Sequence, residues 1–116
     1  MNMTAAGLPE RIGEVDRIAG LVVPVCMRHP LIARLYLFGS RARGTHRVTS
    51  DYDLYAELDY ERMNSASEYL AAIEDLQSVL RGHVDFISGD TWNARDYLLK
   101  QEIDRDKELL YDRDAQ

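Results

Sequence analysis

The chain has 116 residues, a common size for one domain with a single core, and its 46% hydrophobic and 29% charged residues exclude a disordered polymer. A formal charge of −6 removes any whole-molecule attraction to a phosphate backbone, so direct nucleic-acid binding is not expected. No stretch reaches the ~20 apolar residues that would span a bilayer, so no membrane-spanning helix is expected.

Met1 to Leu8 lacks a basic region followed by an apolar run, so the expected location is cytoplasmic. Cys26 is the only cysteine, which rules out an internal disulfide and reads as a small buried apolar residue. No repeat, low-complexity run or linker rich in glycine, serine or proline divides the sequence, so residues 1–116 are expected to form one domain.

Pro9 suits a first helical turn, and Ile12, Val15, Ile18, Ala19, Val22 and Val25 follow at helical spacing. Pro24 falls inside this pattern and is expected to kink or end it. Arg34 to Phe38 then reads as a short buried strand that stops at Gly39. A second strand is expected from Tyr52 to Leu58, where Leu54, Ala56 and Leu58 alternate with Asp53, Tyr55, Glu57 and Asp59.

Ser65 and Glu68 have the spacing of a capping box, ahead of a helix through Leu70, Ile73, Leu76 and Leu80 that Gly82 is expected to stop. Val84 to Ile87 reads as a third strand, Trp92 to about Ile103 as a helix capped by Asp90 or Thr91, and Leu109 to Tyr111 as a last strand. The loop from Gly39 to Asp51 is too short for a long crossover helix, so the first two strands are expected to be antiparallel. The fold class that follows is α/β (α+β): a mixed sheet of about four strands, helices packed on one face, the other left open.

Asp51 and Asp53 stand two residues apart, so in an extended chain both carboxylates project from one face with Cα atoms roughly 6.5 to 7 Å apart. Asp85 alternates with Val84 and Phe86 and is expected on that same face. Three carboxylates gathered there repel one another, and a divalent cation offsets the cost. Magnesium suits hard oxygen ligands shared with phosphates, and two ions can clamp both oxygens of a phosphoryl or nucleotidyl transfer. Gly39 allows close approach of backbone to a ligand, Ser40 adds a hydroxyl and an N–H, and Arg41 and Arg43 could neutralise a triphosphate tail. His29, His46 and His83 form no i, i+4 pair and are not expected to bind metal; Trp92 and Tyr97 are expected to cover core or a partner surface. The alternating charges from Asp104 to Asp114 are expected to be solvated.

The run Gly39-Ser40-Arg41-Ala42-Arg43-Gly44, five residues, then Ser50-Asp51-Tyr52-Asp53-Leu54, closely resembles the signature of minimal nucleotidyltransferases in the DNA polymerase β superfamily. Ten residues separate Ser40 from Asp51, His83-Val84-Asp85-Phe86-Ile87 sits where that family has its third carboxylate, and Leu35-Tyr36-Leu37-Phe38 matches its first strand. The resemblance covers roughly residues 9 to 111. It implies two magnesium ions on Asp51, Asp53 and Asp85, with Asp85 also able to serve as general base. It further implies ATP or another triphosphate as donor, and terminal phosphates held by Gly39 and Ser40.

Larger members of that family carry a helical acceptor domain, so here the acceptor platform is expected from another chain. The resemblance points to a helical HEPN toxin as partner in a hetero-oligomeric, type VII-like toxin–antitoxin module. This chain would be its MntA-like antitoxin, transferring AMP to a hydroxyl of the toxin, expected to be a tyrosine. Neutralisation by binding alone, or transfer to a small molecule with a homodimer forming the pocket, stays open.

Overall fold

The computed structural model describes residues 13–88 and 97–115. Helix α1 (Glu14–Met27) buries Ile18, Val22, Val25 and Cys26, positions that recur every third or fourth residue along one face. Pro24 lies inside it, yet the helix continues to Met27. Burial of Val25 and Cys26 just beyond the proline outweighs the one backbone donor that the ring removes. Cys26 is buried as expected, and burial pushes its thiol up to about 12. The Pro9 start lies outside the described residues.

Strand β1 (Ile32–Phe38) is followed by a four-residue helix, α2 (Ser40–Arg43), which the sequence pattern did not predict because it is too short to show a period. Strand β2 (Tyr52–Leu58) begins and ends where expected. Helix α3 (Ala66–Leu80) buries Ala72, Leu76 and Leu80, whereas Leu70 is exposed. Strand β3 (Val84–Ser88), helix α4 (Tyr97–Asp106) and strand β4 (Glu108–Asp112) complete the chain. Within α4, Ile103 supplies the buried contact and Tyr97 and Leu98 are exposed. The expected cap at Asp90 or Thr91 and the position of Trp92 lie outside the described residues.

The ends of α3 are built differently from expectation. The Ser65 hydroxyl bonds the Ser67 hydroxyl at 2.7 Å instead of capping the helix, and the Glu68 carboxylate accepts the Asn64 N–H, one residue before Ser65. At the other end Arg81, not Gly82, takes the left-handed conformation, with φ 58°. Gly82 serves a different need: a β-carbon there would lie 3.1 Å from the Tyr52 ring.

The four strands form one mixed sheet in the order β3-β2-β1-β4. β1 is antiparallel to both β2 and β4, while β2 and β3 are parallel and joined through α3. Leu35, Leu37, Leu54 and Ala56 point to one face and are fully buried with Ile18, Val22 and Leu76 from α1 and α3. Each such side chain withdrawn from water is worth about 1.5 to 3 kcal/mol, which fixes the rotation of β2. The alternate residues Asp53, Tyr55 and Glu57 must then face the other side. On that side Tyr36 and Tyr55 pack 5.8 Å apart, with the Lys107 ammonium over both rings.

Candidate active site

The polar face of the sheet gathers Asp51, Asp53 and Asp85 at the end where β2 and β3 begin. In the parallel register Asp53 lies level with Asp85 and Tyr52 with Val84, so Asp51 and His83 come together one step earlier. The Tyr52 N–H donates to the His83 carbonyl at 2.9 Å and holds this level in place. His83 Nδ1 sits 3.5 Å from Asp51 Oδ2 and 3.7 Å from Asp85 Oδ1. Ligand atoms of Asp51, His83 and Asp85 all lie within 4.8 Å of one another, and all three side chains are exposed.

Asp53 is the most enclosed of the three aspartates. Burial pushes its carboxyl up to about 6, helped by the Asp85 and Asp51 carboxylates and by Glu102 on α4. A cation placed among these groups would reverse the electrostatic part of that shift. The donor set therefore fits a divalent ion.

Gly39 closes the site from the side of β1. Its φ is 75°, and a β-carbon would lie 2.2 Å from Asp53 Oδ2. Only glycine permits this approach. The chain then turns directly into α2, with the Ala42 and Arg43 N–H groups donating back to the Gly39 carbonyl. Ser40 is thereby held at the first turn, beside the Asp53 edge.

The two arginines of this turn occupy places that the sequence did not suggest. Arg41, expected to face a triphosphate, is turned inward and is 4% exposed. Its Nε and Nη2 donate to the Ser50 carbonyl at 3.1 and 2.8 Å, and Nη2 also donates to the Val48 carbonyl at 3.0 Å. Its Nη1 donates to Glu14 at 2.5 Å, and its guanidinium stacks 4.0 Å from the Tyr52 ring centre. A planar fork with several donors matches these converging acceptors, which an ammonium group would not. Arg41 thus anchors Ser50 just before Asp51, and Tyr52 between Asp51 and Asp53. Arg43 reaches across to α4 and donates to Asp106 at 2.7 Å and to Glu102 at 3.4 Å. Asp106, within the stretch expected to be solvated, has a side chain only 5% exposed. Hydrogen bonds from Arg105 and Arg43 hold its carboxyl down at about 2.

A cavity of about 490 Å³ lies on the other side of Tyr52, among Glu14, Arg17, Arg41, His46 and Arg47. There Glu14 pairs with both Arg17 and Arg41, which ties up two of the three guanidiniums. The chemistry belongs to the aspartate edge, where like charges are left facing. His83 is the member of that edge that sequence reasoning set aside. A search for helical i, i+4 pairs misses it, although His83-x-Asp85 has the same two-residue spacing as Asp51-x-Asp53.

Comparison with known proteins agrees with this geometry. The sequence model of the family described as "Polymerase beta, Nucleotidyltransferase" matches residues 22–116. A relative from Methanocaldococcus jannaschii, named as a protein adenylyltransferase, is 42% identical over 80 residues, covering 69% of this chain and 76% of the relative. Among solved structures, a toxin–antitoxin crystal structure with AMP-PNP superimposes with a TM-score of 0.62 at 21% identity, covering 81% of this chain and 73% of that one. A tri-AMPylated Shewanella oneidensis HEPN toxin in complex with its MNT antitoxin gives a TM-score of 0.58 at 16% identity, covering 87% of this chain and 75% of the other. These likenesses establish the shared fold. With the family match spanning most of the sequence, the chain belongs to the polymerase β nucleotidyltransferase family.

Proposed function

We propose that this protein transfers AMP from ATP to a hydroxyl group of a helical HEPN toxin, and that this transfer neutralises the toxin. The observation that carries the reading is the level placement of Asp53 and Asp85 on adjacent parallel strands, with Asp51 close by and Gly39 pressed against Asp53. Further support comes from the 42% identical relative named as a protein adenylyltransferase and from the toxin–antitoxin complexes with the same fold.

Asp51, Asp53 and Asp85 would hold magnesium, which when bound neutralises phosphate charge as the leaving group departs. The Gly39–Ser40 turn offers backbone N–H groups and the Ser40 hydroxyl to the terminal phosphates. Arg43 stands near the rim, oriented by Asp106 and Glu102. Arg41 acts from behind, fixing Ser50 and Tyr52 so that Asp51 and Asp53 face the donor. The acceptor oxygen forms a bond to the α-phosphorus, the bond to the bridging oxygen of pyrophosphate breaks, and the hydroxyl proton passes to Asp85. A tyrosine hydroxyl is the acceptor that this reading favours.

The test is release of pyrophosphate from ATP in the presence of magnesium and the partner. Release should fall by at least about 100-fold in Asp53→Ala, the scale of losing a group that acts only in the transition state. An unchanged rate in a folded Asp53→Ala protein would overturn the assignment.

A further inference from the structure

We propose that His83 Nδ1 is a ligand of one divalent ion in this site, together with one carboxylate oxygen each from Asp51 and Asp85, and that this position takes a transition-metal ion such as Zn²⁺ or Co²⁺ through that imidazole. The inference rests on reading the aspartate edge as the nucleotidyltransfer centre, and it adds a nitrogen donor to a set otherwise made only of oxygens.

The spacing of the donors is close to that of a tetrahedral metal site. Donors bound tetrahedrally at about 2.1 Å stand roughly 3.4 Å from one another. His83 Nδ1 stands 3.5 Å from Asp51 Oδ2 and 3.7 Å from Asp85 Oδ1, with all three donor atoms within 4.8 Å. The two histidine–carboxylate separations need shifts of only about 0.1 to 0.3 Å, and the two exposed carboxylates, at most 4.8 Å apart, close on each other by up to about 1.4 Å to complete the fit.

The backbone beneath these donors is fixed. The His83 carbonyl accepts the Tyr52 N–H at 2.9 Å, and the parallel register sets Asp53 level with Asp85, so the His83 and Asp51 backbones keep their spacing whatever the side chains do. Asp53 lies outside the three-donor cluster. It remains available to a second ion or to the donor nucleotide.

Ligand chemistry then decides the ion. Carboxylate and water suit magnesium, whereas imidazole suits zinc, cobalt, nickel and copper. Three protein donors with one position left open is the arrangement of a reactive zinc site, and it differs from a closed structural cage. The competing role is a ring that only bridges the two carboxylates and leaves when metal arrives. The two roles predict opposite effects of removing the ring.

The experiment is calorimetric titration of the intact protein with Co²⁺ and, separately, Mg²⁺, for the native sequence, His83→Gln and Asp51→Asn, with the visible spectrum of the cobalt form recorded alongside. His83→Gln should weaken Co²⁺ binding by about 10-fold or more, since even groups that only orient a ligand are worth 10- to 100-fold. It should leave Mg²⁺ affinity within about 2-fold, because the ring is a poor magnesium donor. The cobalt spectrum should shift in the same variant, and Asp51→Asn should weaken both ions. Equal Co²⁺ affinity in His83→Gln, no Co²⁺ binding by the native protein, or tighter Mg²⁺ binding once the ring is gone would each overturn the proposal. The parent reading is tested apart from this by pyrophosphate release with Asp53→Ala. Transfer that depends on Asp53, with Co²⁺ binding indifferent to His83, would sink the histidine ligand alone. Co²⁺ binding that needs His83, without any transfer, would sink the transfer reading and leave the ion site standing.

Discussion

A β-carbon on Gly39 would lie 2.2 Å from Oδ2 of Asp53, so the end of β1 and the acidic edge of β2 meet only because residue 39 has no side chain. The left-handed φ of 75° at Gly39 adds a second, independent demand for glycine. Gly39→Ala should therefore displace Asp53 and lower nucleotidyl transfer by at least about 100-fold, since a shift of 1 Å at a reacting group costs on that order. The backbone at φ 75° and ψ −157°, a region open essentially to glycine alone, should also cost about 1 to 3 kcal/mol of stability. Pyrophosphate release and urea unfolding on the same protein check both effects. Full activity in Gly39→Ala would mean that Asp53 need not stand where it does.

Arg41 supplies the next prediction, because it touches no part of the acidic edge. Its guanidinium binds the Ser50 and Val48 carbonyls and stacks on Tyr52, which flanks both aspartates. Arg41→Lys keeps the charge but loses the fork. It should lower transfer by roughly 10-fold and destabilise the fold by about 2 kcal/mol, as buried acceptors lose their donors. A thermal melt and a rate measurement suffice, and an Arg41→Lys protein as stable as the native one would contradict the anchoring role.

The pH dependence of stability follows from Glu14. Hydrogen bonding to Arg17, and then to Arg41, holds its carboxyl at about 2, against 4.5 in an unconstrained chain. A carboxyl lowered on folding stabilises the native state fully above its unfolded pKa, and that contribution is lost as pH falls through the folded value. Stability should thus decline between about pH 4.5 and pH 2, by an upper limit of roughly 3 kcal/mol from this group. Urea unfolding across that range should show a shallower decline in Glu14→Gln, which starts from a lower stability at neutral pH. Parallel curves would exclude Glu14 as the source.

Arg81 carries a left-handed φ of 58° at the end of α3, a conformation that costs a residue with a β-carbon about 1 kcal/mol or more. Arg81→Gly should raise stability by about 0.5 to 1 kcal/mol without changing the transfer rate. A midpoint of urea unfolding that falls would show that the Arg81 side chain contributes more than its backbone costs.

Most of the scaffold was legible in the sequence because burial imposes a period on it. Leu54 and Ala56 on one face of β2 and Asp53 and Tyr55 on the other follow directly from alternation, and Ile18, Val22 and Val25 mark α1 in the same way. Competing local effects were less visible. Pro24 signals a break that the burial of Val25 and Cys26 overrides, and Gly82 looks like a helix stop although Arg81 takes the strained conformation.

Within the candidate site, Asp51 and Asp53 were readable from strand alternation and Gly39 and Ser40 from the turn that ends β1, whereas alternation gave only the face of Asp85 and the family resemblance its pairing with the other two. The inward turn of Arg41 was not readable, since its acceptors are the carbonyls of Val48 and Ser50, which carry no side-chain signature. Nor was the approach of His83 to Asp51, which depends on the parallel register of two strands separated by a helix. Local sequence does not encode that register.

The central claim, transfer of AMP to a partner protein, is tested most directly by intact-mass spectrometry of the HEPN partner. The partner is incubated with this protein, magnesium and ATP, with Asp51→Ala and Asp53→Ala as controls. The account predicts a gain of whole AMP units on the partner, absent with either variant. A partner that keeps its original mass while still being silenced by the native protein and by Asp53→Ala would contradict the claim and leave binding alone as the means of neutralisation.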